Sequence, residues 1–341
     1  MILFFMPRQL EPTYRDALTK SWQVLLHHKL LWVLGAIALI LGQFGLGNFL
    51  GSLWTFMTEG QVSLIPWLPS TISWSILSPV ATVQLAILIV IGGALAAFIV
   101  VVATCAQGAI ITAMLQYFSG RRTISLRSAW HTGARHFWRI LAVNVIQQIV
   151  LLFTISAVLG FWRDFSHTSV GGIIMLIIGI ALGLFIALLT SVLSIYTLAF
   201  IVDKEYPLSE AVGAGYELFK NHLLVSLEIS FLLLLLTIVP ALAIIIASYV
   251  VIVPGLPFLL IGTASSSVAT VQTGIMVMQI FFAILVALIS GAFNAFMIGT
   301  WMYCYRAMEK RGVPSRLVHH TEKVFKKEPK SRVRTVRGRI I

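Results

Sequence analysis

The sequence predicts an all-α, polytopic membrane helix bundle, and four observations lead to that prediction. Hydrophobic residues make up 59% of the 341 residues and charged residues only 11%, whereas a soluble domain carries roughly 25% charged residues. The mean hydropathy of +0.96 is too apolar for a surface in water. Six stretches reach the length of about 20 mainly apolar residues that a transmembrane helix needs. The basic residues are confined to short connections and a tail, as is typical of membrane proteins.

The six apolar stretches are the predicted transmembrane helices. Several are longer than a bilayer requires, so we expect some helices to tilt, bend or extend past the membrane. Pro240 lies inside the fifth stretch and should kink it, because proline removes a helical hydrogen bond. The six stretches are Leu30–Leu53, Thr82–Tyr117, Ile140–Phe161, Gly171–Val202, Leu223–Val253 and Gly274–Tyr305.

The distribution of Lys and Arg predicts that both chain ends and the even-numbered connections are cytoplasmic. Of the 24 basic residues, 23 lie before the first span, in the second and fourth connections, or in the tail from Arg306. The odd-numbered connections hold one, Arg163. Short cytoplasmic loops are enriched in Lys and Arg. The predicted location is therefore the cell membrane (the inner, cytoplasmic membrane), crossed several times.

Two of the predicted outside loops have a distinctive composition. Residues 55–81 contain Trp67 and Trp74 and no basic residue, and tryptophan is enriched at membrane interfaces. Residues 254–273 are rich in Pro, Gly, Ser and Thr. Both segments are expected to be loops.

A short pattern recurs before each odd-numbered span, and its spacing of four residues puts its members on one helical face. We predict a short amphipathic helix at the cytoplasmic interface for each copy, with small residues that allow close helix approach and a large one that anchors in lipid. Three chance matches are the alternative. The copies are Ala17-x3-Ser21-x3-Leu25, Ala129-x3-Gly133-x3-Phe137 and Ala211-x3-Gly215-x3-Phe219.

The repeat predicts three transmembrane hairpins, each preceded by an interfacial helix, in units of about 12–118, 124–203 and 207–310 within a membrane domain of residues 1–310. The correspondence extends to polar positions, because Asn144 and Ser226 each lie eleven residues after the central glycine. Ser125 and Ser209 are suited to begin the second and third amphipathic helices.

Polar residues inside the spans are candidate functional groups, because such residues are costly in a membrane. They would line a polar cleft or, alternatively, form hydrogen bonds between helices, with the glutamate reaching an interface. The candidates are Glu228, Asn144, Gln147, Gln148, Asn294 and Gln107.

Motifs for catalysis, metal binding or phosphate binding are not found in the sequence. There is no HExxH pair, no GxxxxGK[ST] or GxGxxG loop and no GxSxG elbow. Cys105 and Cys304 lie in apolar stretches and are expected to be small buried hydrophobic residues. We therefore predict that the protein is not an enzyme and needs no cofactor or metal.

The tail, residues 311–341, is predicted to be basic and largely disordered, because it cannot bury enough apolar surface to offset the entropy of ordering. Anionic lipid headgroups are its expected partner, at about 1 kcal/mol for each basic residue near the surface. Nucleic acid is the less favoured partner, since the positive-inside bias already explains the charge. The candidate lipid contacts are Lys323, Lys326, Lys327, Arg332 and Arg334.

Three groups of residues across 12–310 resemble a family of prokaryotic membrane proteins, the glycerophosphoryl diester phosphodiesterase membrane-domain type. The resemblance implies a multi-pass membrane domain. Relatives that hydrolyse phosphodiesters carry catalysis in a separate soluble barrel, and no stretch here is long enough to form one. The groups are Ser21-Trp22 with Leu31-Trp32, Gly108-Ala109-Ile110-Ile111 with Ala129-Trp130-His131-Thr132-Gly133, and Asp203-Lys204 with Ala211-x3-Gly215-Tyr216-x2-Phe219.

Three function classes remain open from the sequence, and a membrane enzyme is the least favoured because no catalytic constellation is found. The favoured one is a non-enzymatic membrane or envelope component that organises lipid or other membrane proteins. The alternative is a transporter or channel with a polar path near Glu228 and Asn144. Repeated spans with matched polar interruptions would favour the transporter, but Glu228 has no acidic counterpart in the other units.

Overall fold

The computed structural model describes residues 12–39, 79–120, 125–165 and 170–311, which form helices joined by short turns and contain no strand. The predicted all-α class is therefore confirmed. The helices in these ranges are α1 (Pro12–His27), α2 (Leu30–Leu39), α3 (Pro79–Phe118), α4 (Leu126–Arg135), α5 (Phe137–Phe165), α6 (Val170–Lys204), α7 (Leu208–Asn221), α8 (Leu223–Leu236), α9 (Ile238–Val250), α10 (Ile252–Ala264) and α11 (Val268–Arg311).

The described residues contain five helical runs long and apolar enough to cross a membrane, or six if α1 and α2, bent by 109°, count as one span. The protein is thus a multi-pass membrane protein. The predicted first span is described only as far as Leu39. Residues 40–78, with Trp67 and Trp74, and residues 312–341, with the candidate lipid contacts Lys323 to Arg334, lie outside the described residues.

The predicted fifth span is interrupted where its prolines require it. The chain breaks at Thr237 between α8 and α9, and Pro240 is the third residue of α9. Amides in the first turn of a helix have no acceptor within the helix, so a proline there costs no hydrogen bond. The break at Val251 places Pro254 in the same position of α10.

The prediction that residues 254–273 form an outside loop is wrong. Helix α10 runs to Ala264 and α11 begins at Val268, so a short turn joins the two helices. The small residues serve close packing instead. A Cβ atom added to Gly262 would lie 2.7 Å from Cγ2 of Val271, so glycine allows α10 to approach α11.

The helix-start predictions hold at one position and fail at the other. Ser125 is the N-cap of α4, and its Oγ accepts from the amide of Ser128 at 3.4 Å. Helix α7 is instead capped by Pro207, and Ser209 lies within its first turn. A proline's fixed φ is already suited to a helix start.

The core lies at the end of the bundle where α3, α6 and α11 finish, which we call the basal end. Fully buried side chains there include Met114, Tyr196 and Tyr305. The opposite portions, which we call the distal half, expose large apolar residues such as Phe98 (65%) and Ile177 (61%). The distal half comprises residues 87–98 of α3, 171–182 of α6, all of α9 and α10, and 268–288 of α11.

Candidate functional site

The three amphipathic helices α1, α4 and α7 pack by their repeated small residues against spans at the basal end. Ser21, Gly133 and Gly215 are all buried. Their spacing from the buried alanines Ala17, Ala129 and Ala211 defines the face that each helix turns inward. These helices therefore sit where the sequence places them, each directly before a span.

The contacts of the central small residues are close enough to exclude larger side chains. A Cβ atom on Gly133 would lie 2.5 Å from the carbonyl oxygen of Cys105 in α3. One on Gly215 would lie 3.2 Å from the amide nitrogen of Thr197 in α6. One on Gly299 of α11 would lie 3.3 Å from Cβ of Ser21. Each amphipathic helix thus rests on the basal part of one even-numbered span.

A polar link joins two spans at equivalent positions of two repeats. The Nδ2 of Asn144 (α5) donates to Oε1 of Gln107 (α3) at 2.6 Å. In the next unit the hydroxyls of Ser226 (α8) and Tyr196 (α6) are 2.8 Å apart. Gln107 comes directly before Gly108, the residue that Gly133 contacts, and Tyr196 comes directly before Thr197. Gln107 and Tyr196 therefore occupy equivalent positions in the two repeats, as Asn144 and Ser226 do.

The remaining unit departs from this pattern. The equivalent positions are Ile298, directly before Gly299, and Trp32, eleven residues after Ser21. The Trp32 indole donates to the Leu25 carbonyl at 3.0 Å instead of to another span. A different polar contact joins α11 to α2, where Nδ2 of Asn294 donates to the Gly35 carbonyl at 2.8 Å.

Glu228, the acidic candidate within a span, is bound to an amphipathic helix. The buried Tyr14 of α1 donates from its hydroxyl to Oε2 of Glu228 in α8 at 2.7 Å. The carboxylate therefore links the fifth span to the beginning of the described chain.

The hydrogen bonds of the candidate polar residues lie at three helix contacts. Gln107 and Asn144 join α3 to α5, with Gln147 and the half-buried Gln148 further along α5. The other two places are the Asn294 contact with α2 and the Glu228 contact with α1. All of these candidates lie on helices, and the hydrogen bonds of Asn144, Asn294 and Glu228 connect one helix to another.

A network of charged residues at the basal end was missed from the sequence, because Arg306 was assigned to the tail. Its NH2 group lies 2.7 Å from Oδ1 of Asp203 and 3.0 Å from Oγ of Ser119. Lys204 lies 2.6 Å from Oε1 of Glu309. The side chain of Asp203 is 11% exposed and that of Arg306 20%. This charge network ties the ends of α3, α6 and α11 together.

An apolar groove of about 280 Å³ runs between α5, α6 and α7. The groove is open on the side of the bundle, where its lining residues Ile146 (50% exposed) and Tyr216 (56% exposed) reach the surface. Helix α6 contributes Leu189, Thr190, Leu193, Ser194 and Thr197, α5 contributes Val143, Ile146 and Val150, and α7 contributes Val212, Tyr216 and Phe219.

The described residues offer no group of three or more His, Cys, Asp or Glu that could hold a metal ion. Cys105 and Cys304 are buried thiols, as predicted. The buried His136 has its Nδ1 3.0 Å from the Thr132 carbonyl, within its own helical turn. These contacts are structural.

The chain matches no protein-family model, and no curated protein or solved structure is similar to it. The resemblance to the phosphodiesterase membrane-domain type therefore stays a hypothesis based on the residues quoted above. Arguments about function consequently depend on the geometry of this chain alone.

Proposed function

We propose that this protein is a non-enzymatic membrane component that binds and organises phospholipid. The observation that supports the proposal is the lateral groove between α5, α6 and α7. Its walls are apolar side chains, and a helical bundle in a membrane presents such a side opening to lipid. Lipid chains are the molecules in this environment that an apolar groove would accept.

The contacts of the polar residues favour this function over transport. A polar path near Glu228 and Asn144 would need both groups to face one aqueous cavity. Glu228 instead accepts from Tyr14 on α1, and Asn144 is paired with Gln107 on α3. Hydrogen bonds of this kind hold helices together.

We also propose that the basal end is cytoplasmic and that the membrane is the cell membrane. Basic residues including Arg139, Lys204 and Arg306 lie at this end, and cytoplasmic segments carry such an excess. A cysteine introduced at the exposed Trp130 should resist a membrane-impermeant reagent added to intact cells. Labelling from outside at this position would reverse the orientation.

The proposed function is tested by reconstituting the purified chain into vesicles with spin-labelled lipids. We expect a motionally restricted lipid population, larger for phosphatidylglycerol than for phosphatidylcholine. Vesicles loaded with ions or polar solutes should show no saturable flux above that of protein-free vesicles. Saturable solute flux without restricted lipid would support the transporter alternative instead.

The tail adds a separate proposal, that residues 316–341 bind the cytoplasmic leaflet by charge. The segment carries nine basic residues and two acidic ones. A peptide of this segment should bind anionic vesicles more strongly than neutral ones. The attraction should weaken from about 0.1 M to about 1 M salt, as the screening length falls from about 10 Å to about 3 Å. Preference for RNA at the same salt would contradict the lipid assignment.

A further inference from the structure

We propose that the groove holds one acyl chain of an anionic phospholipid whose phosphate group binds Arg139. This inference rests on the proposed function and specifies the lipid class, the site and the residue that selects it.

The shape of the groove suits a thin, flexible chain. Helix α6 forms the floor between walls supplied by α5 and α7, and the close packing of Gly215 on Thr197 sets the position of α7. The volume is about 280 Å³. A helix with side chains is about 10–12 Å in diameter, so a helical segment of a partner would not enter this space, whereas a hydrocarbon chain would.

Two of the three hydroxyl groups along the floor, those of Thr190 and Thr197, add little polarity to the groove. The hydroxyls of Thr190 and Thr197 donate to the carbonyls of Ile186 and Leu193, each at 2.8 Å within their own helix. Their hydrogens are thus used, and their methyl groups remain as apolar surface. A polar solute would lose its hydration here and gain few hydrogen bonds in return, which selects against it.

A fixed positive charge lies just beyond one wall. Arg139 precedes the groove residue Val143 by four residues, so it continues the same face of α5 about 6 Å further along the helix axis. Its NH1 group donates to the carbonyls of Glu205 at 2.9 Å and Tyr206 at 3.3 Å. These bonds fix the guanidinium, and the residue remains exposed. Its other N–H groups are suited to a phosphate oxygen.

The neighbouring tryptophan indicates that Arg139 lies at headgroup depth. Trp138 is 78% exposed and directly precedes Arg139, and exposed tryptophan is typical of membrane interfaces. A lipid with its phosphate at Arg139 would direct its chains along α5 towards the bilayer centre. Ile146 and Val150 lie on that path. The positive charge therefore lies where the lipid headgroup would be, and the apolar groove lies where the acyl chain would be.

The experiment measures the lipid retained by the full-length protein purified from bilayers of mixed phosphatidylglycerol and phosphatidylcholine, using native mass spectrometry. The chain offers a matched pair of substitutions. Ile146 lines the groove and is 50% exposed, and Ile149 does not line it and is 47% exposed. Ile146→Trp should fill the groove and reduce retained phosphatidylglycerol at least fivefold, whereas Ile149→Trp should leave retention unchanged.

The headgroup contact is tested with two variants of Arg139. Arg139→Gln should lower the affinity for phosphatidylglycerol about fivefold, the equivalent of about 1 kcal/mol for one basic residue. Arg139→Lys keeps the charge but not the forked geometry, so it should restore most of the retention. If both variants lose retention equally, Arg139 acts by holding the Glu205–Tyr206 segment, and the headgroup assignment is overturned.

Three further outcomes distinguish failure of the groove assignment from failure of the proposed lipid-binding function. Equal retention in Ile146→Trp and Ile149→Trp would overturn the groove assignment while the wild-type protein still restricts lipid. Equal retention of phosphatidylcholine and phosphatidylglycerol by the wild-type protein would overturn the anionic selectivity. A wild-type protein that retains no lipid would contradict the proposed function itself.

Discussion

The basal end and the distal half differ in how their helices meet, although both are built of long apolar helices. At the basal end, small residues bring backbones into contact, as at Gly133 on α3, and buried polar pairs join the spans. In the distal portions of α3 and α6, Gly92, Gly93 and Gly179 have no atom within 4 Å of where a Cβ would be, whereas Gly262 of α10 packs closely on α11. The same residue type is thus a packing requirement where two helix backbones meet and a neutral choice in the distal portions of α3 and α6.

The difference shows where this membrane protein specifies its structure. Lipid tails are as apolar as leucine, so apolar side chains alone give helices no preference for each other over lipid. Close backbone contacts and paired polar groups supply the preference. The paired polar groups are concentrated at the basal end, and close backbone contacts occur both there and between α10 and α11. If this is correct, the stability of the protein also depends mainly on the contacts of the basal end.

The largest effect should follow loss of a charge in the basal network. Asp203→Asn leaves Arg306 without its closest partner while the guanidinium stays mostly buried. Removing one member of a buried ion pair costs about 3–5 kcal/mol, and the residual exposure favours the lower part of that range. Thermal unfolding of the purified protein, followed by tryptophan fluorescence, measures the loss. Wild-type stability in this variant would mean that the network does not hold the ends of the spans together.

A smaller effect is expected from adding a single methyl group at the basal end. In Gly133→Ala the new Cβ would lie 2.5 Å from the Cys105 carbonyl oxygen and 2.9 Å from the Ala109 amide. Backbone atoms cannot rotate away, and overpacking of this kind costs about 1–3 kcal/mol.

The matched variant is Gly179→Ala in the distal half, which has open space around it and should be neutral or slightly stabilising because alanine favours helix. Comparison of the two unfolding temperatures tests the contrast between the ends. Equal shifts for the two variants would remove the distinction.

The polar link between α3 and α5 should contribute less than either of these features. A double-mutant cycle with Gln107→Leu and Asn144→Leu should give a coupling energy of about 0.6 kcal/mol, with about 1.7 kcal/mol as the upper value for such bonds in membranes. The cycle formed by Tyr196→Phe and Ser226→Ala should give coupling of similar size if the two links are equivalent. Additive effects in both cycles would mean that these contacts are incidental.

The smallest effect is expected for the exposed ion pair of the same end. The side chains of Arg135 and Glu205, 3.2 Å apart, are 65% and 54% exposed. Such pairs contribute about 0–1 kcal/mol and weaken with salt. Glu205→Gln should therefore change the unfolding temperature little at low salt and not at all at 1 M salt. A loss as large as that of Asp203→Asn would show that proximity to the basal end, not burial, determines the cost.

Position along the helices could be predicted from the sequence, whereas the choice of neighbour could not. Apolar length and the spacing of small residues were sufficient to place α4, α7 and the spans after them. The correspondence of Asn144 and Ser226 was also visible. Their partners Gln107 and Tyr196 depend on how the helices are arranged around the bundle, and the chain order does not state this. A single polar cleft was therefore as compatible with the sequence as three separate contacts.

Composition misled the prediction in two places for physical reasons. Residues 254–273 are rich in Pro and Gly, which is typical of loops. In the structure Pro254 lies in the first turn of α10, and the glycines allow α11 to pack closely on that helix. Arg306 was counted with the basic tail because the predicted sixth span ends at Tyr305, although α11 continues to Arg311. Its pairing with Asp203 spans more than a hundred residues, and such a contact has no local signal.

The contact between Ser21 and Gly299 has a consequence for the order of events during synthesis. The first amphipathic helix is made early, but the surface that it packs on belongs to the last span, 278 residues later. At about 5–20 residues per second, α1 waits roughly 15 to 55 s for that surface. A ribosome that stops before α11 therefore releases a product in which Ser21 lacks the surface that Gly299 provides.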